Sequence, residues 1–527
     1  MTTNIRLLAI AIAVAGAQPV AAQEPVDRAT IARIREEGFQ RSQVMTFAEY
    51  MTDVLGPRLT GSPGLRRAEQ WAKTTMTRLG LTNVTIEPWG EHGVGWTNVY
   101  TSLHLHEPTY QPLIGYPLAF TPGTNGKVTG EARIVAIGSE ADFAKYRGKL
   151  SGAIVLATPP APIAPRFTAD AARFTAQQLR ELERVTISAP TGVGNVEYRW
   201  DTFNKTYVPS GSSAPSGGLS PTDRLKFFKS ENVGVVLQAA PGQDGTVFVD
   251  GRPGSRQDRT YRGVIESPPI VAIAAEHYNR IYRVAAQSIP ARLEIEIRNA
   301  LDTSVTTADN VTGEIAGSDL KDQLVMLGGH FDSWHAATGA TDDAAGIAVA
   351  LEAMRILTTI GVKPRRTIRV ALWSYEEGGV VGSRAYVTRH FGSAAKPGPD
   401  YDRLAAYFNV DNGAGRIRGI YLQGNERARP IFEAWLAPFA DLEATTITIN
   451  NEFGVDALAF DQAGLPGFQF IQDPLDYETR THHSNMDVFD RIPADDVRRN
   501  AVILASMVYL AAMRDQPLPR EGAPAPR

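Results

Sequence analysis

From residue 290 onward the chain alternates short apolar runs with helical stretches, and this rhythm restricts its fold more than any other feature. "QLVMLGG", "TIRVALWS", "RLAAYFNV" and "GFQFIQ" are separated by stretches such as "AAGIAVALEAMRILTTIG" and "RARPIFEAWLAPF". The four runs lack the in–out alternation of a half-solvated strand, so both faces of each must be covered. That predicts an α/β fold, a mostly parallel mixed sheet sandwiched by helices. A helix over 494–513 closes the unit, and "QPLPREGAPAPR" at 516–527 reads as a disordered tail.

Upstream the texture differs. "TIARIREEGF" and "GLRRAEQWAKTTMTRLG" carry apolar residues at helical spacing, with the turn-rich "GPRLTGSPG" between them. Between 118 and 290 short β-branched runs follow one another, "ARIVAIG", "GAIVLAT", "VGVVLQAA" and "GTVFVDG", interrupted at 208–223 by the polar "VPSGSSAPSGGLSPTD". This predicts a β-rich insertion carrying an exposed loop. The expected organisation is 1–22 as a leader, 23–117 as the first part of the main unit, 118–290 as the insertion, 291–515 as the core and 516–527 as the tail. A length of 527 residues accommodates two to four domains of about 150 residues.

The leader call rests on Arg6, an apolar run from Leu7 to Ala17 and small residues ending at Ala22, the pattern of a secretory signal peptide cut after Ala22. A secreted or periplasmic protein is expected, with no membrane partner, since no later run is long enough to span a bilayer. The chain has no cysteine, which excludes disulfides, thiolate ligands and a cysteine nucleophile. A net charge of -4 argues against nucleic acid as a partner. The segments that serine hydrolases, single-zinc helix-motif proteases and nucleotide-binding loops require are missing.

Ligands of open α/β sheets bind beyond the carboxyl ends of the strands. There the chain places His330 with Asp332, then Asp342 and Asp343, then Glu376 and Glu377, then Asp411, and finally His482 and His483. Taken singly each has a plain structural use: Asp342 as a helix cap, Glu377 as a solvated acid, His330 as a packed turn residue. Together they crowd carboxylates on one rim, where a divalent cation relieves the repulsion. Imidazole with carboxylate and no thiolate suits zinc better than calcium or magnesium. Five ligands exceed one open tetrahedral site and fit two ions about 3.5–4 Å apart that share a carboxylate.

The motifs "PRLTGSPG", "GGHFDSW", "GATDD", "WSYEEGGVVGS", "NVDNGAG" and "HHSNMD", in this order, resemble the co-catalytic di-zinc exopeptidase family. Its members include bacterial secreted aminopeptidases, glutamate carboxypeptidase II and plasma glutamate carboxypeptidase, and the pattern here is most like the last. The insertion, with "YRGKLSGAIVLA", resembles the protease-associated domain of several members. The resemblance implies two zinc ions per chain, one on His330 and Asp411, the other on Glu377 and His483, with Asp342 bridging. It implies Glu376 as general base and Asp332 as the acid orienting His330. Asp487, four positions after His483, is a partner acid or a loop cap. Where better-known branches carry a tyrosine before the last ligand histidine, this chain has His482, so the oxyanion donor stays open among His482, Tyr477 and zinc. His335 is expected to be an exposed loop residue.

The implied activity is removal of residues from the ends of short peptides, as an aminopeptidase or dipeptidase. Two other readings are carried: a single-zinc glutaminyl cyclase, and a non-catalytic receptor or binding module on the same fold. Neither needs the complete set of five ligands. The insertion either shapes the substrate entrance or pairs subunits into a homodimer.

Overall fold

The structure is a computed structural model that describes residues 24–91, 93–186, 198–201, 206–209, 219–249, 266–304 and 307–520. The signal-peptide reading and residues 210–218 of the polar interruption lie outside the described residues. Among the described residues no helix is long and apolar enough to cross a membrane.

The main sheet has eight strands in the spatial order Thr82–Glu91, Thr307–Ile315, Arg366–Trp373, Leu320–His330, Leu404–Asn409, Gly467–Gln472, Ile417–Tyr421 and Thr446–Thr448. The four predicted runs form its centre and pair in parallel with one another, while Thr307–Ile315 and Ile417–Tyr421 attach antiparallel at its two sides. The reason is visible along one strand. Val325 and Leu327 join the core beneath one face, and Leu324 and Met326 join a second core beneath the other.

On the first face lie Ala345–Thr359 and Ala494–Met513, with Arg28–Gln40 outside them. Ala345–Thr359 is buried from Ala345 to Leu357, and its small residues let neighbouring helices approach. Its buried Arg355 is neutralised by Glu352 and Glu37, as a charge in that position must be. Val381–His390 and Ala457–Gln462 cover the second face.

A second eight-stranded sheet is built from Gln111–Pro112, Gly95–Glu107, Arg292–Asp302, Val128–Ile134, Ile154–Leu156, Val235–Ala239, Ile270–Ile273 and Gly115–Pro117. It therefore draws in strands on both sides of the 118–290 bounds. Gly95–Glu107 and Arg292–Asp302 pair along their whole length, although polar residues interrupt their apolar pattern.

Two further expectations are corrected. Residues 245–249 of "GTVFVDG" join neither sheet: Phe248 forms an isolated bridge with Ser484, because these residues run out from the second sheet to the main unit. The start of the tail is packed, since Leu518 is 2% exposed and its N–H donates to the Ala405 carbonyl.

Candidate metal centre

The parallel strands deliver their C-terminal ends to one edge. His330 is the last residue of its strand. Two glycines precede it because there is no room for side chains: a Cβ on Gly328 would lie 1.8 Å from the Ala371 carbonyl oxygen, and one on Gly329 would lie 2.3 Å from Asp343 Oδ2. Asp342 sits in the turn Ala340–Ala344 that opens the buried helix. Glu376 and Glu377 follow Trp373 in a turn entered through Tyr375, whose φ of 62° is left-handed. Asp411 follows Asn409, and His482 and His483 follow Tyr477–Thr481, His483 with a φ of 57°. Such backbone at a non-glycine residue persists where its surroundings hold it.

These residues converge in two sets that share Asp342. His330 Nε2 lies 3.0 Å from Asp342 Oδ1 and 3.4 Å from Asp411 Oδ1. On the other side His483 Nε2 lies 3.3 Å from Asp342 Oδ2 and 2.9 Å from Glu377 Oε2. Asp342 thus turns one oxygen to each set. His482 comes closer than a mere neighbour: its Nε2 is 3.9 Å from Asp342 Oδ2, its Nδ1 is 3.3 Å from Glu478, and its ring stacks on Tyr477 at 4.5 Å.

The charges do not balance internally. Burial and the neighbouring acids hold Asp343 and Glu376 well above the usual carboxylate range, and burial raises Glu377 and Asp411 despite the histidines beside them. Burial opposes a charge on His330, but Asp411, Asp332 and Asp342 outweigh it and raise its pKa well above the ordinary value. Asp342 goes the other way, since His330, His483 and His482 overcome its burial.

Three buried oxygens, Asp342 Oδ2, Asp343 Oδ2 and Glu377 Oε1, have no hydrogen-bond partner. Orphaned carboxylate oxygens beside imidazole nitrogens, with no thiolate, fit zinc.

Other residues stand where the sequence did not place them. His330 Nδ1 donates to the backbone carbonyl of Asp332 at 2.9 Å, while the Asp332 carboxylate is 3.7 Å away, so the carbonyl orients the ring. The carboxylate accepts instead from the Thr60 hydroxyl at 2.6 Å and from the Glu376 N–H at 3.2 Å. Asp487 accepts from the backbone and hydroxyl of Thr341 rather than from His483, fixing the turn before Asp342. His335 is half-buried rather than exposed: its Nε2 donates to the Pro117 carbonyl, and burial pushes its pKa down to about 4.

Sequence reasoning passed over Arg58, whose fully buried guanidinium bonds to the carbonyls of Phe331, Thr338 and Gly339. Its place in "PRLTGSPG" was the available signal. It also passed over Asp456, buried beside the site, pushed up to about 7 by burial with relief from His330.

The stretch carrying the two histidines is held from outside. Ala172 bridges Leu475, Asp170 pairs with Arg480 at 2.6 Å, and Asp473 gathers Arg173, Arg416 and Arg418. At its other end the Val249 N–H donates to the His483 carbonyl, and Asn485 accepts from the Val247 N–H at 2.7 Å.

Residues 310–508 match the sequence pattern of Peptidase family M28. The chain is 28% identical over 260 residues to Carboxypeptidase Q of Homo sapiens, a match that covers 49% of this chain and 53% of that relative. It thus spans about half the length of the curated relatives it matches. Its fold is that of a Peptidase M28 precursor from Shewanella amazonensis SB2B, with a TM-score of 0.63, 22% identity and coverage of 95% of this chain and 98% of that one. A zinc aminopeptidase from Bacillus subtilis shares it at a TM-score of 0.53 and 16% identity, covering 90% and 95%.

Proposed function

We propose that this chain is an exported di-zinc exopeptidase that releases residues from the ends of short peptides. The observation that carries the reading is Asp342, which turns one oxygen toward His330 and Asp411 and the other toward His483 and Glu377. Ions bound by these two sets would supply Lewis acidity and make a water molecule acidic enough to act as a nucleophile near neutral pH. That carboxypeptidase and aminopeptidase both occur among the relatives' names leaves the recognised end of the peptide to experiment.

Glu376 is the general base in this reading. Its carboxyl stands among Asp411, Asp456 and Glu377, and this surrounding favours taking up a proton. It removes the proton of the attacking water and delivers it to the leaving amine. His482, beside Asp342 and backed by Glu478, and Tyr477 stacked on it are the donors available for the oxygen of the attacked carbonyl.

Incubating the purified protein with a panel of dipeptides and N-blocked peptides tests the proposal. Release of free amino acids that stops on chelation and returns with zinc is expected. Glu376→Gln should keep its metal and lose about a hundred- to ten-thousand-fold in kcat. Turnover that persists after complete metal removal would refute the reading, and cyclisation of N-terminal glutamine without amino acid release would replace it with the cyclase.

A further inference from the structure

We infer that segment 58–60 is a positioning clamp for both halves of the site: Thr60 holds the backbone of the general base through Asp332, and Arg58 sets the spacing between His330 and Asp342. This rests on the peptidase reading for the role of Glu376, but not for the role of Arg58.

Asp332 is completely buried, and each of its carboxylate oxygens has one donor, the Thr60 hydroxyl on Oδ2 and the Glu376 N–H on Oδ1. Thr60 is itself 1% exposed, so no water replaces its hydroxyl easily. The Glu376 turn is closed on its far side by bonds from Gly379 and Val380 to the Glu376 carbonyl. On its near side the N–H of Glu376 is tied to Asp332. A charged acceptor makes both of these hydrogen bonds strong. Removing the Thr60 hydroxyl leaves Oδ2 without its donor in a buried site. The carboxylate then reorients, and the Glu376 N–H loses a well-placed acceptor. Displacements of about 1 Å at a reacting group cost up to about a hundredfold in rate, and a partial loosening costs less.

Arg58 acts on the loop between the first ligand and the bridging one. Its Nε donates to Phe331, the residue after His330, at 2.9 Å; its two terminal nitrogens donate to Thr338 at 2.8 Å and Gly339 at 2.9 Å, just before Asp342. The Arg58 N–H also donates to Ser333 Oγ at 3.1 Å, and the Ser333 N–H returns to the Arg58 carbonyl. The planar five-donor fork reaches both ends of the loop together, and a lysine ammonium on one stem does not.

The test uses the full chain loaded with zinc, and in parallel with cobalt as a visible-absorption probe. Thr60→Val should keep its metal content and melting temperature while kcat on a dipeptide falls about tenfold at nearly constant KM, and Thr60→Ser should recover to within about twofold. Arg58→Lys should give up zinc to a chelator at about tenfold lower chelator concentration and alter the cobalt absorption band. Wild-type kcat in Thr60→Val would overturn the Thr60 half, as would a loss in which Thr60→Ser is as poor as Thr60→Val. Unchanged zinc retention and an unchanged cobalt band in Arg58→Lys would overturn the other half. Should the wild-type protein cleave no peptide, the peptidase reading fails and the Thr60 half with it, while the zinc-retention and cobalt measurements still decide the Arg58 half.

Discussion

Stripping the metal should invert the way stability responds to pH. Asp456 and Asp487 are fully buried, and each is pushed up to about 7, Asp456 by burial and Asp487 by burial with Asp342 adding. An acid whose folded pKa exceeds its unfolded value stabilises the fold fully below the unfolded pKa, near 3.8, and loses that contribution as pH rises through about 7. Between pH 5 and pH 7 the unfolded chain has released these protons and the folded chain has kept them. The loss is about 1.4 kcal/mol per pH unit and group, hence about 2 kcal/mol for each and about 4 kcal/mol together.

Glu377 and Asp411, also raised, act in the same sense. So do His330, His482 and His483, whose raised values give stability present below 6.5 and lost as pH rises through their folded pKa. Asp342, held low, loses its contribution only below this window, and His335, pushed down to about 4, opposes the trend by about 2 kcal/mol, because its contribution is complete only above 6.5. The chelated protein should therefore melt several degrees lower at pH 7.5 than at pH 5, at about 2 °C or less per kcal/mol for so long a chain. With excess zinc the order should reverse, because the ligands bind better as they lose protons and binding to the folded state stabilises it by mass action. Calorimetry across this range with and without chelator measures both slopes. A chelated protein whose melting temperature is flat or rises from pH 5 to pH 7.5 would refute the reasoning.

Three other perturbations follow from the packing. Gly328→Ala forces a Cβ to 1.8 Å from the Ala371 carbonyl in the central sheet and should cost about 3 kcal/mol or more by denaturant unfolding; a change below about 1 kcal/mol would contradict the close approach. Glu69 is pushed up to about 8 by burial, with Asp309 adding, so its contribution is lost as pH rises from 4.5 through about 8. Glu69→Gln should be near neutral at pH 4 and stabilising at pH 9 by on the order of 4 kcal/mol, and equal effects at both values would exclude this cause. Asp473→Ala leaves the buried Arg418 with only the exposed Glu443 and takes from Arg173 and Arg416 the acid they share, so a loss of about 3 kcal/mol is expected, with limited proteolysis opening the segment around Arg173; wild-type cleavage would argue against that anchorage.

The central strands were legible because burial on two faces writes itself as a short unbroken apolar run, and the helix over 494–513, buried without a gap from Asn500 to Ala512, because its apolar run is too long for a strand. The donors of the metal centre were legible because strand ends concentrate them. Contacts made through the backbone were not: which group of Asp332 orients His330 depends on a carbonyl, and any residue type has one. Arg58 was hidden for the opposite reason, since a buried arginine satisfied by carbonyls sits in a turn with no periodicity to mark it. "GTVFVDG" had the composition of a strand, and composition does not say that its partner would be the loop after His483 rather than a neighbouring strand. That the second sheet takes in Gly95–Glu107 was hidden because half-buried Thr97, Asn98, Thr101, Ser102 and His104 mask the strand period.

The histidine-bearing stretch is moored at both ends to chain from the second sheet, through Asp170 and Ala172 on one side and Val247 and Val249 on the other. A swivel of one sheet unit against the other would tug on an imidazole before it opened a cleft. Cutting out the second unit should accordingly leave not a smaller hydrolase but a core whose ligand loop has lost its moorings.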